Sequence, residues 1–205
     1  GAVLNNKADL GLIFDTDVDR MSAVFSDGQE VNRDALIAMM AAILVKDYPN
    51  STIVTDSVTS DKLTAFLEGE LQLKHHSFQR GYKNVINECK RLNEEGVVSP
   101  LAIETSGHGA LKENYYLDDG AYMAVKLLIA AAKTKAEGKT LNSLIEKLEP
   151  QFETAEYRLK LKGEDFKAYG AKVLETFTAR AKEKGYQYLK AEHIKDYQKL
   201  YNRVS

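Results

Sequence analysis

Leu10-Gly11-Leu12-Ile13-Phe14 runs directly into Asp15-Thr16-Asp17-Val18-Asp19-Arg20. The first five residues are apolar and read as a buried strand. The next six place carboxylates at i, i+2 and i+4 where that strand ends. Crowded carboxylates repel one another and are costly without a cation beside them. Hard oxygen ligands suit Mg²⁺, which is usually held by a few carboxylates together with a substrate phosphate oxygen. Arg20 follows at once, and a guanidinium matches the same phosphate. The hexapeptide therefore points to phosphoryl chemistry. Two other readings compete. Acidic residues behind a strand can be a solvated loop or a helix cap. A calcium loop would need Gly at its sixth position and Glu at its twelfth; Arg20 and Ser26 stand there, and the preceding residues are not helical in pattern.

Outward from this loop, strand and helix signals alternate. Met21–Phe25 reads as a second strand, and Ser26-Asp27-Gly28-Gln29 as a turn. Asn32 caps a helix to about Lys46, with Leu36, Ile37, Met40, Ile43 and Leu44 at helical spacing. Thr52–Thr55 is a short β-branched strand. Thr59 or Ser60 caps the next helix. A weak strand, 75–79, leads past Gly81 to a helix from about Asn84 to Asn93. Pro100–Glu104 is another strand, and Asp118-Asp119 opens a helix to about Lys135. Such alternation predicts an α/β fold with three layers, a mixed and mostly parallel sheet flanked by helices. After a short helix over 140–149, the composition shifts near residue 150. A strand over 157–161, a helix over 165–184 and a helical stretch over 186–203 form a partial C-terminal α+β segment, too small to enclose a core.

Composition sets further bounds. The chain has 205 residues, 44% hydrophobic and 28% charged, which suffices for one full core. With a net charge of −2 and dispersed Lys and Arg, no electrostatic signal for nucleic acid is present. No apolar run approaches the roughly 20 residues of a membrane span, and no signal peptide opens the sequence. The single cysteine, Cys89, fits a reducing compartment and reads as a passive thiol within a helix. The expected location is the cytoplasm.

Two more constellations carry chemistry. Glu104-Thr105-Ser106-Gly107-His108-Gly109 follows a strand, where parallel α/β folds place ligands. Glu accepts hydrogen bonds, Ser and His give or accept them, and the glycines permit close approach. That set suits sugar hydroxyls, with Glu104 and Ser106 expected to project into an open cleft without strong protein partners. It is equally compatible with a turn whose Glu and His cap neighbours. Gly81-Tyr82-Lys83 places a lysine at a helix start, and alone it reads as solvated surface. His75 and His76 are adjacent on a strand and point to opposite faces, so they do not chelate one metal. Asp118-Asp119 reads as a helix N-cap.

Taken in order, these motifs resemble the α-D-phosphohexomutases, the phosphoglucomutase and phosphomannomutase superfamily. Residues 15–20 match its Asp-x-Asp-x-Asp-Arg metal loop, 104–108 its Glu-x-Ser-Gly-His sugar loop, and 81–83 its Gly-aromatic-Lys. The resemblance covers residues 9 to about 180. It implies an enzyme interconverting hexose 1- and 6-phosphates through a phosphoserine and a bisphosphate intermediate. On matching positions, Asp15, Asp17 and Asp19 would hold Mg²⁺, and Arg20 and Lys83 would be catalytic. Glu104, Ser106, Gly107 and His108 would bind the sugar of a hexose phosphate or hexose bisphosphate. A Thr-x-Ser-His-Asn-Pro-like phosphoserine loop and an Arg-x-Ser-(Asn/Gly)-Thr-Glu phosphate clamp are missing from these residues. The resemblance thus implies a fragment: 1–26 ending domain 2 with the metal loop, 27–138 as domain 3, and 139–205 as linker and incomplete domain 4. Its missing partners would be domains 1 and 4 of the parent chain, and alone it would be inactive. Two alternatives remain open. One is a haloacid-dehalogenase-like phosphatase with Asp15 as nucleophile, Thr55 or Ser57, Lys83, and Asp118-Asp119 as its metal pair. The other is a non-catalytic sugar-phosphate binding module.

Overall fold

A computed structural model describes residues 1–149 and 165–184. The chain divides into two compact units, Gly1–Pro150 and Gln151–Ser205. In the first, helix α1 (Ala2–Asn6) precedes strands β1 (Leu10–Phe14), β2 (Met21–Phe25) and β3 (Glu30–Val31). These three form an antiparallel sheet in the order β1-β2-β3, with Phe14 opposite Met21. The metal-loop hexapeptide is therefore a hairpin connection.

Helix α2 (Arg33–Leu44) leads to β4 (Thr52–Asp56), α3 (Asp61–Ala65), β5 (Lys74–Phe78), α4 (Tyr82–Glu94), β6 (Leu101–Ile103), β7 (Gly109–Leu111) and α5 (Gly120–Ala136). The second sheet runs β5-β4-β6-β7. Its first three strands are parallel and β7 returns antiparallel to β6, so the sheet is mixed and mostly parallel.

Alternation along the strands sorts the core into two layers, because successive side chains point to opposite faces. Ile53, Leu101, Ile103 and Leu111 join the cluster with α2, α3 and α5. Val54, Ala102 and Ala110 face α4 through Val85, Ile86, Cys89 and Leu92. Met21, Ala23 and Phe25 of β2 belong to the larger cluster, which anchors the hairpin sheet to the main body. Helix α2 is buried nearly all round, from Leu36 to Ala42 and again at Leu44. A helix apolar on every side belongs inside a protein rather than on its surface. At its start Asp34 accepts from the Ser60 amide at 3.1 Å and its hydroxyl at 2.6 Å; that hydroxyl in turn caps α3 by accepting from Leu63 N.

Two expectations need correction, and one strand has no counterpart among them. Strand β1 is not buried: Ile13 is 53% and Phe14 39% exposed, because among the described residues it pairs on one side only. Strand β7 carries no signal in sequence, being three residues long and paired along its length with β6. Over 140–149 only Leu141–Ile145 is helical, as a 3₁₀ turn. Cys89 is buried, and burial pushes its thiol up to about 11, in keeping with a passive role.

In the second unit, helix α6 (Phe166–Glu183) is capped by Asp165, which accepts from Ala168 N at 3.0 Å. The strand expected over 157–161 and the helical stretch over 186–203 lie outside the described residues.

Candidate functional site

The β1–β2 connection is closed by Asp15 and Arg20. Asp15 accepts from the Arg20 amide through Oδ1 at 3.2 Å and from Arg20 Nε through Oδ2 at 2.5 Å. Val18 takes a left-handed φ of 62° inside the turn. Burial pushes the Asp15 carboxyl up, but its bonds to Arg20 outweigh this and hold it below its ordinary value. Asp15, Asp17 and Asp19 each bring a carboxylate oxygen within 4.8 Å of the others. Asp19 Oδ1 is shielded from solvent and makes no hydrogen bond among the described residues. Three converging hard oxygens, one of them without a hydrogen-bond donor, fit a divalent cation such as Mg²⁺.

The β6–β7 connection is also a hairpin turn, closed by Glu104 N to His108 O at 2.9 Å and Gly107 N to Glu104 O at 3.1 Å. Its residues are set against the carboxylate loop. Met21 N donates to Gly107 O at 3.1 Å, and Arg20 and His108 form an antiparallel bridge. Gly107 must be glycine here: its φ is +98°, and a Cβ would stand 2.7 Å from Met21 O. Helix α5 starts on the same loop, with Gly120 N donating to Val18 O at 3.1 Å.

Glu104 is 4% exposed. It accepts from Gly81 N through Oε1 at 2.6 Å and from Ser106 Oγ through Oε2 at 3.1 Å. The expectation of a carboxylate projecting unpartnered into a cleft is therefore wrong. The β5–α4 turn arrives over Glu104 and supplies a backbone donor that the local sequence does not disclose. Ser106 is exposed, but its hydroxyl donates to Glu104 Oε2 at 3.1 Å and so is not partnerless as expected. Thr105 is pinned from beneath by Asp56 at the end of β4, which accepts from Thr105 N at 3.3 Å and Thr105 Oγ1 at 2.7 Å. Burial pushes the Asp56 carboxyl up against those two bonds.

Besides Gly81, whose amide reaches Glu104, it is Tyr82 of the Gly81-Tyr82-Lys83 segment that lies against the β6–β7 turn. Its ring stacks on His108 with centroids 4.9 Å apart and an 18° tilt. Lys83 Nζ lies 5.7 Å from the Tyr82 ring centroid, one layer further out. Asp118 and Asp119 part company. Asp119 caps α5, accepting from Tyr122 N at 2.9 Å. Asp118 Oδ2 lies 2.7 Å from His108 Nδ1, and Asp118 Oδ1 accepts from Gly109 N at 3.1 Å. They do not act as an acidic pair on one ion.

The structure thus brings Asp15, Asp17, Asp19 and Arg20 against Gly107 and His108, with Glu104 and Ser106 alongside and Lys83 at the margin. Tyr82 and Asp118, singled out in the sequence for other roles, join them together with Asp56 and Gly120. A family model describing the phosphoglucomutase/phosphomannomutase alpha/beta/alpha domain III matches residues 32–152. The chain belongs to this family. A phosphomannomutase/phosphoglucomutase of Pseudomonas putida is 34% identical over 137 residues, covering 65% of this chain and 28% of that protein. The chain accordingly spans under a third of the length of this relative. A phosphoglucomutase/phosphomannomutase family protein from Burkholderia thailandensis aligns at a TM-score of 0.60 and 27% identity, over 73% of this chain and 31% of that one. A phosphomannomutase structure from Thermus thermophilus shares the fold at a TM-score of 0.57, with 20% identity over 72% and 33% of the two chains. Among the described residues no helix is long and apolar enough to cross a membrane.

Proposed function

We propose that this chain carries the metal loop and sugar loop of a cytoplasmic phosphohexomutase, which interconverts hexose 1- and 6-phosphates through a phosphoserine and a hexose bisphosphate. The observation that supports this most is the backbone bridge between Arg20 and His108. It sets a cation-binding carboxylate cluster, a guanidinium and a sugar-binding turn side by side, which is what a phosphorylated sugar needs.

In this reading Asp15, Asp17 and Asp19 hold Mg²⁺, which when bound supplies positive charge for phosphate oxygens. Arg20 stays charged and half-exposed, and binds the transferring phosphoryl group. Ser106 and Glu104 take sugar hydroxyls, the former directly at the surface. Gly107 lets the turn lie close against β2. His108, flanked by Tyr82, faces the sugar, and Lys83 reaches a phosphate or hydroxyl from the margin. Residues 1–26 close domain 2, 27–138 form domain 3 and 139–205 lead into domain 4. The phosphoserine and the last phosphate clamp come from other parts of a parent protein.

The test uses glucose 1,6-bisphosphate with Mg²⁺ and amide NMR of this chain. Resonances of residues 15–20 and 104–108 should shift together, and Asp17→Ala should abolish the response. With glucose 1-phosphate the chain alone should give no glucose 6-phosphate. Turnover above carefully controlled background, or an aspartyl phosphate at Asp15, would overturn the reading.

A further inference from the structure

We propose that Asp118 is a positioning residue that fixes the tautomer and orientation of His108, so that Nε2 is the nitrogen offered to the sugar phosphate. The proposal rests on the reading of His108 as a sugar-facing residue. The geometry is specific. Asp118 Oδ2 lies 2.7 Å from His108 Nδ1, and Asp118 Oδ1 accepts from Gly109 N at 3.1 Å. An ionised carboxylate only accepts. With one oxygen committed to a backbone amide, the short contact to Nδ1 requires the proton on the ring. Neutral His108 is then the Nδ1–H form, with Nε2 bare. The same logic sets histidine tautomers wherever one ring nitrogen is held by a carboxylate.

Other contacts lock the ring in place. Tyr82 stacks on its face, and the His108 and Asp118 side chains are 16% and 13% exposed. The backbone is tied at both ends, by the Arg20–His108 and Ala110–Asp118 bridges. Asp19 Oδ2 stands 3.7 Å from Nδ1, too far for a hydrogen bond.

Asp118→Asn sharpens the test. Gly109 N still needs an acceptor, so the carbonyl of the new side-chain amide takes the place of Oδ1 and its NH₂ faces the ring. An NH₂ donates, so His108 must turn acceptor at Nδ1 and carry its proton on Nε2. The experiment is ring ¹⁵N NMR of the chain at alkaline pH, with His108 assigned by the signal lost in His108→Asn. The wild type should show Nδ1 protonated and Nε2 bare, Asp118→Asn the reverse, and Asp119→Asn, whose new side chain still caps α5, the wild-type pattern. A wild-type His108 protonated on Nε2 would overturn the proposal, even if Asp118→Asn failed to fold. So would an Asp118→Asn protein that folds and keeps the wild-type tautomer. No ligand enters this readout, so it can fail while bisphosphate binding survives, and the reverse.

Discussion

The backbone N–H of Gly81 donates to Oε1 of Glu104 at 2.6 Å across 23 residues of chain. Gly81 stands at the N-terminus of α4 with φ +122°, a conformation that side chains rarely adopt. The bond ties the turn before α4 to the sugar loop and removes Glu104 from solvent.

Glu104 therefore contributes to stability. Hydrogen bonds to charged groups are worth about 1.5–3 kcal/mol each. Glu104→Ala should lower the unfolding free energy by about 2 kcal/mol in urea titration. Glu104→Gln should cost about half as much, because its carbonyl still accepts from Gly81. A loss below about 0.5 kcal/mol in the alanine variant would show that the Gly81 bond is not maintained in solution.

Sequence revealed the local devices and missed the long-range ones. The convergence of the carboxylates in 15–20 was legible because it follows from spacing within six residues. Strand-helix alternation was legible because periodicity is local. Asp118 and Asp119 look alike in sequence, and only tertiary contact makes one a cap and the other the partner of His108. The burial of Glu104 depends on Gly81, and the burial of α2 on α5 and the 3₁₀ turn Leu141–Ile145 packed against it. Strand β7 has three residues and no pattern of its own; β6 defines it.

Gly107 separates conformational strain from steric contact. Gly107, Gly96 and Gly138 all have positive φ, but a Cβ meets nothing within 4 Å at Gly96 or Gly138. Gly96→Ala and Gly138→Ala should each cost roughly 1 kcal/mol from backbone conformation alone. Gly107→Ala should cost clearly more, because its Cβ also presses on Met21 O and strains the Met21–Gly107 bond. Equal losses in the three variants, measured by thermal melts, would mean that the two loops are not tightly joined.

Acid sensitivity should trace to Glu88. It is 4% exposed, bonded by Arg91 at 2.7 Å and facing His76 Nε2 at 2.9 Å. Burial pushes the Glu88 carboxyl up, but Arg91 and His76 together bring it below its ordinary value. A depressed acid stabilises the fold above its unfolded pKa, near about 4.3, and loses that contribution as pH falls through the folded value. Asp56 and Asp118 run the other way: burial raises both, so their ionisation disfavours the fold as pH rises through their folded values. Glu88→Gln should flatten the loss of stability below about pH 4. An acid limb unchanged in Glu88→Gln would assign the effect elsewhere.

Mg²⁺ should bind this chain weakly, and Arg20 is one reason. Both oxygens of Asp15 are engaged by Arg20, through the amide and Nε. A cation must compete with that pair and with the guanidinium charge itself. In the proposed reading a phosphate oxygen from elsewhere in a parent protein completes the coordination. Two unit charges about 4 Å apart interact by about 1 kcal/mol in bulk water, doubled for a divalent ion and reduced by salt. Since about 1.4 kcal/mol is tenfold in affinity, Arg20→Gln should tighten Mg²⁺ binding several-fold to about tenfold. Asp17→Ala should weaken it, and the same Arg20→Gln change should weaken bisphosphate binding. Calorimetric titration reads all three. Micromolar Mg²⁺ affinity in the wild type, lost in Asp17→Ala, would mean that the three carboxylates form a complete site without a phosphate. Affinity unchanged in Arg20→Gln would mean that the Asp15–Arg20 pair opens freely, and that the guanidinium is held away from the ion.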